Sequence, residues 1–311
     1  MAKDMRDIYT DTLLDLAKTN PSICVIEADL MNATGTRAFK EAYPDRFFDV
    51  GVAEANMVGI ASGLSAEGKI PFAATFGTFA SRRVYDQFFL SANYARLNVK
   101  LVGTDPGITA VYNGGTHMPF EDIGMMRLIP DLVIIEPCDL VSLEKLVRQA
   151  ADHYGCVYIR LHRKGSHTLY DADESIELGK AKVLRDGSDV TLIASGFVLV
   201  PEALKAAELL EAQGVSAAVI DMHTIKPLDE ELVAAYAQKT GAIVTCENHQ
   251  VFGGLGSAVA DSLTGGRPVP MERVGSWNKF GQVGNLEYLQ EAYGMTAREI
   301  SARALKVIER K

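Results

Sequence analysis

The chain has 311 residues, enough for roughly two domains, and its 48% apolar and 23% charged content is that of a folded globular protein. Thirty-one Lys and Arg against forty Asp and Glu leave a formal charge of −9, which argues against a broad nucleic-acid or anionic-membrane surface. No apolar run approaches the ~18 residues that span a bilayer, and Met-Ala-Lys-Asp-Met-Arg-Asp has charges but no apolar core behind them, so no signal peptide is expected. Cys24, Cys138, Cys156 and Cys246 are far apart and form no CxxC pair, which predicts reduced thiols rather than disulfides or structural zinc. The expectation is a soluble, acidic, cytoplasmic α/β protein.

The chain opens on a helix with Tyr9, Leu13, Leu16 and Ala17 on one face. Short runs rich in β-branched or aromatic residues follow at Ile23–Ile26, Pro71–Thr75, Val99–Val102, Leu132–Ile135 and Val157–Leu161, separated by helical spacing. That alternation predicts βαβ units around a buried parallel sheet. From His162 to Ser188 the chain turns polar and ends in the turn signal Asp186-Gly187-Ser188. A domain boundary is placed there, giving domains 1–165 and 188–311 with a linker 166–187. Strands resume at Val190–Ala194, Val215–Ile220, Ala242–Cys246 and Val269–Val274, and a last helix starts at Thr296 with Glu299 completing a capping box.

Three segments bear chemistry. Asp49-Val50-Gly51-Val52-Ala53-Glu54 leads from a strand into a helix that is apolar on nearly every side. A carboxylate heading a buried helix needs a partner or a raised pKa, and either suits a site residue. Phe76-Gly77-Thr78-Phe79 sets two aromatics around a strand-to-helix turn, where parallel sheets present ligands and flat rings can wall a heteroaromatic. Gly103-Thr104-Asp105-Pro106-Gly107 through Gly114-Gly115-Thr116-His117-Met118-Pro119 is glycine-rich, so backbone can approach a ligand beside His117.

VGVAEANMVGIASGLSAEGKIPFAATFGTFASRRVYDQ followed by GGTHMPFED resembles the pyrimidine-binding domain of transketolase. ASGFVLVPEALKAAELLEAQGVSAAVIDMHTIKPLD and ENHQVFGGLGSAVAD are similar to the transketolase C-terminal domain. The resemblance spans nearly the whole chain and implies two consecutive three-layer α/β domains with mostly parallel sheets. It implies thiamine diphosphate as coenzyme. Glu54 matches the glutamate that shares a proton with N1′ of the aminopyrimidine, and Phe76 and Phe79 match the rings that pack on it. His117 matches a histidine that contacts substrate oxygens and stabilises charge there. Arg6 and Arg163 fall where the family holds the terminal phosphate of the sugar, a task suited to bidentate guanidinium groups. Asp29 resembles an aspartate near coenzyme and subunit interface, with helix capping as the plain alternative.

The pattern departs around the substrate. Asp105 stands where many transketolases have histidine, Asn113 where they have aspartate, and Arg82 where a third pocket aromatic occurs, or an arginine in deoxyxylulose phosphate synthases. Arg82 and Asp105 are therefore candidate substrate residues, with an Arg82–Asp86 pair as the alternative for the arginine. The family holds diphosphate through Mg²⁺ with a Gly-Asp-Gly motif and an Asn some ~30 residues on, and no Gly-Asp-Gly occurs here; Arg185-Asp186-Gly187 is the nearest approach. The resemblance then implies a split transketolase: this chain as the beta subunit, and a separate alpha subunit that brings Mg²⁺ and the diphosphate site, in an α2β2 assembly. Gly253-Gly254-Leu255-Gly256 completes no dinucleotide fingerprint and reads as close helix packing. The expected activity is transfer of a two-carbon ketol unit from a ketose phosphate to an aldose phosphate. A 2-oxo-acid dehydrogenase beta subunit, a deoxyxylulose phosphate synthase-like enzyme and a non-catalytic scaffold remain as alternatives.

Overall fold

The computed structural model describes residues 3–311. The chain forms two compact units: the chain up to Pro106 with Met125–Leu178, and Gly107–Gly124 with Gly179–Lys311. Among the described residues no helix is long and apolar enough to cross a membrane.

The first unit contains strands β1 (Ile23–Glu27), β2 (Phe47–Asp49), β3 (Ile70–Phe76), β4 (Lys100–Thr104), β5 (Val133–Ile135) and β6 (Val157–Leu161). They lie in the order β5-β6-β4-β3-β1-β2, each neighbouring pair parallel. Every residue of β1, β4, β5 and β6 is buried, which is why these strands read as continuous apolar runs rather than alternating ones. The register aligns their C-terminal ends: Glu27 faces Asp49 and Ala74, and Thr104 faces Phe76 and Leu161. In such a sheet the loops leaving this edge carry the site. Helix Met5–Thr19 buries Tyr9, Leu13 and Ala17 as its spacing predicts, while Leu16 is only half-buried. Its start is tied to the loop after β6, where the N–H groups of Met5 and Arg6 donate to the Gly165 and Arg163 carbonyls at 3.1 and 3.0 Å.

The second unit contains β7 (Lys182–Arg185), β8 (Val190–Ala194), β9 (Ala217–Asp221), β10 (Thr224–Lys226), β11 (Ile243–Gln250) and β12 (Met271–Ser276). Five of these form a sheet in the order β12-β11-β8-β9-β7, parallel except for β7 at its edge. Its core joins Ile193, Ile220, Met222 and Ile243 to Leu255 and Val259 of helix Leu255–Gly265. Here the Gly253–Gly256 turn is a packing device, because a Cβ on Gly254 would stand 1.9 Å from Glu247 Oε2. Thr296 caps the last helix, Ala297–Ile308, through its hydroxyl to the Glu299 N–H at 3.3 Å. The Glu299 carboxylate is bound instead to Arg303 Nε one turn on, at 2.7 Å.

Strand β2 ends at Asp49, where the sequence led from a strand into the glutamate helix. Strands β7 and β10 were not anticipated by the pattern: they have four and three residues, too short for a periodic signal, and β7 lies in the polar stretch read as linker. All four cysteines are buried free thiols.

Candidate active site

In the first unit, the loop leaving β2 is pinned by Asp49, whose Oδ1 accepts the N–H groups of Gly51 and Asp29 at 3.1 and 3.0 Å. Gly51 holds φ +70°, a left-handed turn open to glycine, and Glu54 then begins helix Glu54–Ala66. Glu54 is only 5% exposed. The head of a helix favours a carboxylate there, and the partner that burial demands is Arg83, whose Nη1 donates to Glu54 Oε1 at 2.9 Å.

Phe76 ends β3 and is the N-cap of helix Gly77–Arg82, with Phe79 in its first turn. Their rings are 6.1 Å apart and nearly edge-on. Arg83, four residues after Phe79, lays its guanidinium 3.7 Å from the Phe79 ring centroid while it binds Glu54. A flat cation of N–H groups therefore meets an aromatic face and a buried carboxylate at once. Those are the contacts an aminopyrimidine ring needs, so the donor set fits such a ring.

On the other side, the Arg163 guanidinium lies 5.1 Å from the Phe76 ring centroid. Its Nε donates to Asp105 Oδ1 at 2.8 Å, and Nη2 makes a charge contact with Oδ2 at 2.5 Å. Burial pushes the Asp105 carboxyl up, against the pull of Arg163. Arg6 and Arg163 converge on one carbonyl, that of Ala33, at 3.3 and 3.2 Å. The residues thus fall into two linked groups: Glu54, Arg83, Phe79 and Phe76, then Arg163, Asp105 and Arg6. Arg82 is exposed and its guanidinium donates to Thr78 Oγ1 one turn back. Asp29 is exposed with φ +62°, and the short helix Met31–Thr34 is capped at Leu30 rather than at Asp29.

Arg83 and Glu27 were missed by reading the sequence. The signal for Arg83 was present, since the residue four after Phe79 on a helix covers its ring. Glu27 ends β1 fully buried, its Oε1 accepting the Thr34 and Thr36 hydroxyls at 2.6 and 2.7 Å, and burial pushes its pKa up to about 8. An acid closing an apolar strand was its only mark.

In the second unit, His117 ends the short turn Gly115–His117, half-buried, with Nδ1 2.9 Å from Thr116 Oγ1. Among the described residues no cluster of His, Cys, Asp and Glu is arranged to hold a metal.

Residues 1–167 match the family model for the transketolase pyrimidine binding domain, and residues 179–300 match that for the transketolase C-terminal domain. The chain belongs to the transketolase family. It is 52% identical over 307 residues to a 6-deoxy-6-sulfo-D-fructose transketolase subunit of Clostridium sp. (strain MSTE9), covering 99% of this chain and 95% of that one. It is 34% identical to an apulose-4-phosphate transketolase subunit of Phocaeicola vulgatus, over the full length of both. Among solved structures, a split gene transketolase described as an inactive beta4 tetramer superposes with a TM-score of 0.92 at 42% identity, over 99% of both chains. The chain accordingly carries the pyrimidine-binding and C-terminal domains of a transketolase, and it aligns over nearly its whole length with proteins described as transketolase subunits. The family's coenzyme is thiamine diphosphate, and this chain has the domain for its pyrimidine half.

Proposed function

We propose that this chain is the beta subunit of a thiamine diphosphate-dependent transketolase that transfers a two-carbon ketol unit from an anionic ketose to an aldose phosphate. In this reading it works with a separate cytoplasmic alpha subunit, in an α2β2 assembly, and that subunit holds Mg²⁺ and the diphosphate. The observation that carries the reading is the buried Glu54 at a helix head, joined through Arg83 to the Phe79 ring and its neighbour Phe76. Domains 1–165 and 188–311, joined by 166–187, serve as the pyrimidine-binding and C-terminal domains.

When bound, the coenzyme supplies a nucleophilic carbon and an electron sink. Glu54 shares a proton with a ring nitrogen, Phe76 and Phe79 wall the ring, and Asp29 lines the approach on the β1 side. His117 donates a hydrogen bond to substrate oxygen as charge develops. Arg6 and Arg163 bind the anionic terminus of the sugar, Asp105 aims Arg163, and Arg82 adds positive charge at the rim.

That terminus need not be phosphate. The relative at 52% identity is named for a 6-sulfonated ketose. Here Asp105 pairs with the Arg163 guanidinium and Asp4 stands 3.9 Å from that of Arg6, so both cations are partly offset, an electrostatic balance suited to a singly charged sulfonate. The experiment mixes the purified chain with its alpha subunit, thiamine diphosphate and Mg²⁺, and compares fructose 6-phosphate with 6-deoxy-6-sulfo-D-fructose as donor. Ketol transfer, lost with Glu54→Ala, is expected. No transfer from either donor, with coenzyme binding unchanged by Glu54→Ala, would favour the scaffold reading.

A further inference from the structure

Within the second unit, the segment Gly107–Gly124 that carries His117 lies against the C-terminal end of β11. Three consecutive residues of β11 grip it. Near its start, the Ile108 N–H donates to Asn248 Oδ1 at 2.9 Å. Near its end, the Phe120 carbonyl accepts the Gln250 N–H at 2.8 Å, and the Gly124 N–H donates to His249 Nε2 at 3.2 Å. A Gly107 N–H to Pro119 carbonyl bond at 3.1 Å closes the segment on itself.

Asn248 is 2% exposed and His249 fully buried, so each gripped amide would lose its partner without replacement by bulk water. The ring of His249 is set for this task. Its Nδ1 is 2.6 Å from the Gln250 carbonyl, which assigns the hydrogen to Nδ1 and leaves the Nε2 lone pair for Gly124. Glu247, whose oxygen stands 3.7 Å from Nδ1, is engaged by the Leu255 and Gly256 N–H groups at 2.7 and 2.8 Å. The fit at the first grip is tight, because a Cβ on Gly107 would come within 2.0 Å of Asn248 Oδ1. Between the grips the segment holds Val111 at φ +41°, ψ −115°, a conformation costly to a β-branched residue and kept only where surroundings over-determine it.

We propose that Asn248, His249 and Gln250 are positioning residues: the end of β11 sets the shape of the loop that presents His117 to substrate. The inference rests on the reading of His117 as a substrate contact, and it gives the C-terminal domain a part in donor recognition. Asn248→Leu keeps the size and removes the acceptor; Asn248→Asp keeps an acceptor oxygen. In the assembled enzyme with thiamine diphosphate and Mg²⁺, Asn248→Leu raises the ketose KM roughly tenfold, the scale of one buried amide left unsatisfied. Coenzyme affinity, read by fluorescence quenching, stays within about twofold of wild type, because those contacts lie elsewhere, and Asn248→Asp restores most of the KM. Hydrogen exchange across residues 107–124 accelerates in the Leu variant and not in the Asp variant.

Unchanged KM in a folded Leu variant, or a coenzyme affinity that falls as far as KM rises, overturns the positioning role. Slow exchange at Ile108 and Gly124 in the wild-type chain is required in any case, so fast exchange there overturns it even if every variant fails to fold. A wild-type assembly without ketol transfer counts instead against the proposed function, while the exchange measurement still decides whether β11 holds the loop.

Discussion

Glu27 offers a clean test of how burial acts in the first unit. The carboxyl is fully buried, and its pKa rises from an ordinary 4.5 to about 8, mainly because burial disfavours the charge, while the Thr34 and Thr36 hydroxyls pull it back. Below pH 4.5 the group is protonated in folded and unfolded chains alike, and it costs nothing. Between the two values the unfolded chain has released the proton and the folded chain keeps it, so stability falls as pH rises, and above about 8 the loss is complete. At about 1.4 kcal/mol per pKa unit the whole loss is on the order of 5 kcal/mol. Glu27→Gln removes the titration and keeps an oxygen to accept the two hydroxyls. Urea denaturation of the purified chain from pH 5 to 9 should give similar stabilities at pH 5. The wild type should then lose ground steadily and the variant should not. Parallel curves, or a variant less stable than wild type at pH 8.5, would refute the reasoning.

Three further outcomes are expected. Lys100 is buried with Nζ donating to Asn98 Oδ1 and to the His153 and Gly155 carbonyls at 2.6 to 2.7 Å, so Lys100→Met should cost on the order of 3 kcal/mol by chemical denaturation. Asp105→Asn removes the charge opposite a guanidinium with 11% side-chain exposure and should destabilise by about 3 kcal/mol, while raising affinity for phosphorylated over sulfonated ketose in inhibition assays. Arg83 is half-exposed but its partner Glu54 is buried, so Arg83→Met leaves that carboxylate without its donor and should destabilise by about 1–3 kcal/mol. The same change should tighten coenzyme binding in the assembled enzyme, because the guanidinium no longer competes for Glu54 and the Phe79 face; weaker binding in a titration would show that Arg83 holds the ring.

The parallel strands were legible because burial on both faces leaves an unbroken apolar run, as in Ile23-Cys24-Val25-Ile26 and Val157–Leu161. Strand β9 starts at Ala217, two residues later than its apolar run suggested, because Val215 is spent closing the preceding helix through the Leu210 carbonyl. Residue types at the candidate site were legible as motifs, and Glu54, Phe76 and Phe79 do gather. Partnerships were not. Glu54 meets Arg83 across 29 residues and Asp105 meets Arg163 across 58, and only the fold chooses between Arg82 and Arg83 or gives Asp105 to a neighbouring guanidinium. The grip of β11 on the His117 loop spans up to 140 residues and leaves no local trace.

Because Gly107–Gly124 packs with the later part of the chain, the polypeptide passes between its two units three times, near residues 106, 124 and 178. A gene dissection at residue 165 would give a fragment with a strip of someone else's domain and none of the β11 residues that shape it. Exchanging C-terminal domains between such chains therefore also exchanges the β11 residues that hold the 107–124 segment.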